Sequence, residues 1–168
     1  MKGAINSEFL NEMQKSINFG YRSRIREAIK GLHEVDVAEL ITVLSHEQRS
    51  IFMTLVGKQL PAAVFVELDD HIRREIVEYV DINKLVTTVQ ELDSDDAVFV
   101  LEDLAEAEKK EVLEKIPATD RASIERAFEF PEHSAGRLTQ AEFVAVPPYW
   151  TVGQTIDYLR LSHDLTFD

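Results

Sequence analysis

The sequence has no cysteine, which removes disulfides, thiolate zinc sites and cysteine nucleophiles together. It has no apolar run near the roughly 18 to 20 residues that cross a bilayer. Its start, MKGAINSEFLNEMQ, also lacks the unbroken apolar stretch of a signal peptide. Basic residues are scarce: 18 Lys and Arg face 31 Asp and Glu, a formal net charge of -13. Such a surface repels nucleic acid and anionic lipid, both of which are held through their phosphates, so nucleic acid is not expected as a partner and no insertion of this segment into a membrane is expected. No glycine-rich phosphate loop, HExxH motif or Ser-His-Asp arrangement occurs, and His33, His46, His71, His133 and His163 show no i, i+4 pairing. Catalysis has no evident carrier, and the chain is not expected to be an enzyme.

What is present is apolar mass with a period. Hydrophobic residues make up 45% of the 168 and charged residues 29%, the balance of a globular fold with a core. Leu44, Leu68, Leu92 and Ile116 recur every 24 residues. Three further columns keep the same register: Ile41, Phe65, Val89 and Leu113; Phe52, Ile76, Val100 and Ile124; Val56, Val80, Leu104 and Phe128. All of these positions are apolar, and four aligned columns together mark a structural unit. Within a unit the spacing is three to four, as in Leu40/Ile41/Leu44 and Phe52/Leu55/Val56, which places each set on one helix face. Each unit therefore reads as two helices of about ten residues, too short to stand alone in water and obliged to bury their stripes against neighbours. A leucine-rich repeat, of similar period, would need a short strand with asparagine in each unit, and none is supplied.

The punctuation fits this reading. Ser45 with Gln48, and Asp69 and Asp93 in the matching column, are candidate caps for the second helix of each pair. Pro117 takes that column in the last unit, and Pro61 falls near a helix start. Leu10, Met13, Ile17 and then Ile25, Ile29, Leu32 suggest capping helices over residues 1–32, broken near Gly20, with Ile5 and Phe9 in the end cap. After Phe128 the character changes. Glu142 to Val146 is rich in β-forming residues, Pro147-Pro148 breaks the chain, and Thr151 is placed to cap a helix to Leu161. The expected fold is an all-α superhelical stack of short helix pairs, an α-solenoid, over residues 33–130. A linker and a strand-plus-helix tail follow over 131–168, the strand left to find a partner elsewhere.

The segments DVAELITVL, VFVELDDHIRREIVEYV and LVTTVQELDSDDAVFVLEDL, with Phe130-Pro131-Glu132, Ser134-Ala135-Gly136-Arg137-Leu138 and Trp150-Thr151-Val152 after them, carry a resemblance. Over roughly residues 30 to 161 the sequence resembles the cytosolic N-terminal domain of MgtE-type magnesium transporters, running into the start of a cystathionine-β-synthase (CBS) domain. Thr139 departs from the family, which often has methionine there. The resemblance implies a cytoplasmic regulatory module at the inner membrane of a transporter, with the CBS and transmembrane domains as partners and a homodimer in the full protein. The end at Phe167-Asp168 is expected to cut through a longer chain. The contrasting expectation is a helical protein-interaction scaffold without an ion role, like the middle region of the flagellar rotor protein FliG.

The densest acidic stretch is Glu91, Asp93, Asp95 and Asp96, followed by Glu102, Asp103, Glu106 and Glu108. Two carboxylates about 7 Å apart repel by about 2 kcal/mol at an effective dielectric near 20, and a divalent ion between them relieves that. An N-cap and a helix first turn also favour such charges without any metal. An EF-hand is excluded, since Val98 and Leu104 stand where its glycine and bidentate glutamate belong. The resemblance points to Mg2+ as the ion, with Asp95 the foremost ligand and Asp93 and Asp96 beside it. It also implies an incomplete, weak site, because Ala63 and Phe99 stand where the family can have carboxylates.

Overall fold

The computed structural model describes residues 5–141 and 143–161, and among these every regular element is helical. Helices α1 (Ser7–Asn18) and α2 (Arg22–Ile29) form the N-terminal end. Four pairs follow: α3 (Glu34–Val43) with α4 (His46–Val56), α5 (Ala63–Glu67) with α6 (Asp70–Val77), α7 (Ile82–Glu91) with α8 (Ser94–Leu101), and α9 (Glu106–Lys115) with α10 (Ala118–Phe128). Helix α11 (Val152–Leu161) stands in the tail. First helices pack on first helices, α3 on α5 and α7 on α9, while second helices pack on second, α4 on α6 and α8 on α10. Each pair thereby covers the apolar stripe its neighbour cannot bury alone, which is why helices of five to eleven residues persist.

The 24-residue column is the elbow of each pair. Leu44, Leu68, Leu92 and Ile116 each end a first helix with extended backbone, ψ between 140° and 161°. The next residue, Ser45, Asp69, Asp93 or Pro117, is extended as well and opens the second helix, with φ between -54° and -69°. That φ is the one a proline ring imposes, and proline also favours an extended residue before it, so Pro117 fits the column without strain. Twelve of the sixteen column residues are buried, and the other four, Val80, Leu92, Leu113 and Phe128, pack half-buried against the same core. A fifth column, Leu40, Val64, Thr88 and Val112, is fully buried, and it was hidden in the sequence because Thr88 breaks its apolar pattern.

Of the expected caps, Ser45 and Gln48 form the reciprocal box: Gln48 N–H donates to Ser45 Oγ at 3.3 Å and Ser45 N–H to Gln48 Oε1 at 3.2 Å. Asp69 and Asp93 hold the cap position, but neither side chain accepts from its helix's first-turn amides. The break near Gly20 is present, with Gly20 at φ +69°. Met13 is buried in the core, and Ile5, Phe9 and Leu10 pack half-buried on it, as an end cap requires.

The tail divides. Thr151 caps α11 through Gln154, whose N–H donates to Thr151 Oγ1 at 3.3 Å while Thr151 N–H donates to Gln154 Oε1 at 2.8 Å. The strand expected over Glu142 to Val146 is not formed at residues 143–146, and Glu142 lies outside the described residues. A strand without a neighbour has no ladder to join, which accounts for its absence.

Candidate functional site

The acidic stretch separates into groups with different work. Asp103 is committed to structure: its nearly buried carboxylate accepts from buried Arg73 Nε and, at 2.9 Å, from Arg74 Nε. Arg73 also bonds the elbow carbonyl of Leu68 at 3.2 Å and lies 3.6 Å from the centroid of the Phe99 ring. Phe99 thus occupies its position as the floor beneath a buried guanidinium. One repeat earlier, Arg49 makes the equivalent bond to Leu44 O at 2.7 Å and pairs with Glu75 at 2.6 Å. Two arginines 24 residues apart each tie their own elbow to a later carboxylate, a polar column that shares the period of the apolar ones.

Glu102 is also taken. Arg137, in the linker after α10, reaches it at 2.7 Å and stacks 4.4 Å from the Phe128 ring centroid. Farther along, Gln140 Nε2 donates to Asp93 Oδ2, and Ala141 N–H donates to Ser94 Oγ at 2.9 Å. The segment leaving the repeats is thereby laid over the N-terminus of α8. Gly136 allows this course, since a Cβ there would stand 2.4 Å from Phe130. Glu106 pairs with Lys109 at 2.8 Å, and Glu108 accepts from Ala105 N–H at 3.3 Å.

Asp93, Asp95 and Asp96 remain together at the start of α8, Asp93 exposed and the other two half-buried. Burial, and then the negative charges of Asp95, Asp93 and Glu67, raise the Asp96 carboxyl above the ordinary aspartate range. Glu67 ends α5, which packs on α8. It therefore joins the three aspartates, a neighbour that linear sequence could not supply, although it precedes an elbow leucine as Glu91 does. Among the described residues, no three His, Asp or Glu side chains converge closely enough to hold a metal ion by themselves. A cleft of about 500 Å3 reached by Glu91 but by none of the three aspartates carries both signs, with Lys58 paired to Asp81 at 2.6 Å at its wall. Chemically, the α8 face can offer carboxylate oxygens to a hydrated divalent cation but not a closed coordination shell.

A family model described as the MgtE intracellular N domain matches residues 32–133, more than half of the chain. No curated protein matches it. Among solved structures, one described as the cytosolic domain of the Mg2+ channel MgtE in complex with ATP aligns over 90% of the chain at 25% identity with a TM-score of 0.75. The soluble part of a magnesium transporter aligns over 91% at 18% identity with a TM-score of 0.68, which speaks to fold alone. The chain spans 62% and 60% of those two structures. None of the helices described here is long and apolar enough to cross a membrane.

Proposed function

The chain belongs to the family of MgtE intracellular N domains, and from that premise we propose that it is a Mg2+-responsive regulatory module of a magnesium transporter. Its helix pairs wind as a superhelical arm over residues 33–130, capped by residues 1–32. The segment 131–168 opens a CBS domain that further chain completes. In support of that boundary, α11 buries none of its residues, and Phe143, Tyr149 and Val152 are exposed. The arm works on the CBS and membrane domains of the same transporter, itself a dimer, by holding its acidic face against them when Mg2+ bridges the carboxylates.

The observation that carries this reading is the setting of half-buried Asp96, whose carboxyl is raised first by burial and then by the charges of Asp95, Asp93 and Glu67. A divalent cation offsets that repulsion without a full set of protein ligands, keeping much of its water. Asp95, Asp93 and Asp96 are the proposed ligands, with Glu67 added. The test is a Mg2+ titration of the 168-residue chain in 0.15 M NaCl, followed by amide chemical shifts. Saturable shifts confined to residues 67 and 93–97, absent after Asp95→Asn with Asp96→Asn, are expected. Shifts spread evenly over all exposed carboxylates would show only general screening and sink the site. In a longer chain carrying the CBS pair, distances between arm and CBS domain should shorten with Mg2+; unchanged distances would refute the gating role.

A further inference from the structure

Away from the acidic face the sign of the molecule reverses. Residues 1–32 hold six Lys and Arg against three Glu, whereas the remainder holds twelve against twenty-eight acidic residues. At this basic end α1 packs on α2, and the turn between them, Phe19-Gly20-Tyr21, presents two aromatic rings to solvent. Phe19 is 70% exposed and Tyr21 54%, and the rings stack with centroids 5.7 Å apart.

The turn is rigid. Gly20 N–H donates to Ile17 O at 3.0 Å and Tyr21 N–H to Ser16 O at 2.8 Å, the paired bonds of a Schellman motif with glycine at its left-handed position. The backbone that carries the rings is therefore set before any contact, so little main-chain ordering entropy is lost when they are covered. Lys15 in the last turn of α1 and Arg22 and Arg24 at the start of α2 flank them. Only Arg24 of these three forms an ion pair among the described residues, an exposed one with Glu12 at 3.2 Å.

We propose that this tip is a membrane-surface contact, in which Phe19 and Tyr21 seat in the interfacial layer while Lys15, Arg22 and Arg24 meet anionic phospholipid headgroups. Aromatic rings beside cations are the composition that such an interface selects. The occupant is a bilayer rather than a second copy on grounds of charge and shape. A second copy would have to offer this basic tip an apolar, acidic recess, yet two clefts among the described residues balance their signs, Lys58 and Lys84 with Asp81 and Glu91 in one and Arg26 and Lys30 with Glu34 in the other. The net charge of -13 does not prevent the contact. At physiological salt the screening length is about 8 Å, less than one helix diameter, so distant acidic units are screened while charges in contact are not.

The test is flotation of the 168-residue chain with vesicles of phosphatidylcholine alone or with about 30 mol% phosphatidylglycerol. Partitioning onto the anionic vesicles only, weakening as salt rises, is expected. Phe19→Ala with Tyr21→Ala, and separately Lys15→Glu with Arg22→Glu, should each lower partitioning at least about tenfold. Lys58→Glu should leave it unchanged, and helical circular dichroism should be the same in every variant. Absence of binding to anionic vesicles, or binding that survives both paired substitutions, overturns the proposal. So does sedimentation equilibrium showing that the tip substitutions dissolve a dimer of a chain that ignores vesicles.

Discussion

Thr88 and Asp96 show how single side chains sit against the grain of the fold. Thr88 occupies a column otherwise filled by Leu40, Val64 and Val112, and its buried Oγ1 has no hydrogen-bond partner among the described residues. Thr88→Val exchanges an unsatisfied hydroxyl for a methyl of similar size and should stabilise the chain by about 1 kcal/mol, read from urea unfolding. Asp96 is strained electrostatically. Its folded carboxyl holds a proton more tightly than its ordinary value of 3.8, so stability falls as pH rises from that value through the raised one and stays lost above it. Asp96→Asn should therefore raise the unfolding midpoint at pH 7, and its advantage should vanish below pH 3.8. Neither feature was legible in advance: the sequence shows Asp96 in an acidic run, but its burial and the approach of Glu67 arise only when α5 meets α8.

Between elements, arginines join units that apolar stripes alone would leave free to slide. Arg73 and Asp103 expose only 2% and 3% of their side chains, so removing Arg73 leaves a buried carboxylate with only the exposed Arg74 to pair it. Arg73→Ala should cost about 3 to 5 kcal/mol, while Arg74→Ala, on the exposed side of the same carboxylate where water screens the pair, should cost far less. A near-equal loss in the two would refute a buried origin for the tie. The helices themselves were readable from the 24-residue columns, because burial of one face imposes periodicity on the residues that line it. The caps were readable only in part. Ser45 closes its box, whereas Asp93 turns its carboxylate to Gln140, a residue 47 positions away that no local pattern announces.

Across the whole molecule, stability should be graded from the ends inward, since each pair leans on its neighbours and the terminal ones have a neighbour on one side only. Ile17→Ala, in buried α1, should speed hydrogen exchange in α1 and α2 while α7 to α10 stay protected. Phe65→Ala, fully buried in α5 between α3 and α8, should speed exchange throughout. Uniform loss in both variants would mean a single cooperative block instead. The tail was legible as a change of character after Phe128 and as a helix capped by Thr151, but the strand expected before it is not formed at residues 143–146, where no neighbouring strand among the described residues offers a ladder. The elbows carry a final consequence. Each holds two residues, both stretched, with no slack. One residue inserted there would rotate the following helix by about 100° and swing its greasy side into water. Length changes should instead be absorbed in the connections between units, such as residues 57–62, where a short 3-10 turn and Pro61 already take up six positions against four elsewhere. A set of one-residue glycine insertions scanned along the chain should map the elbows, not the connections between units, as the places where growth is forbidden.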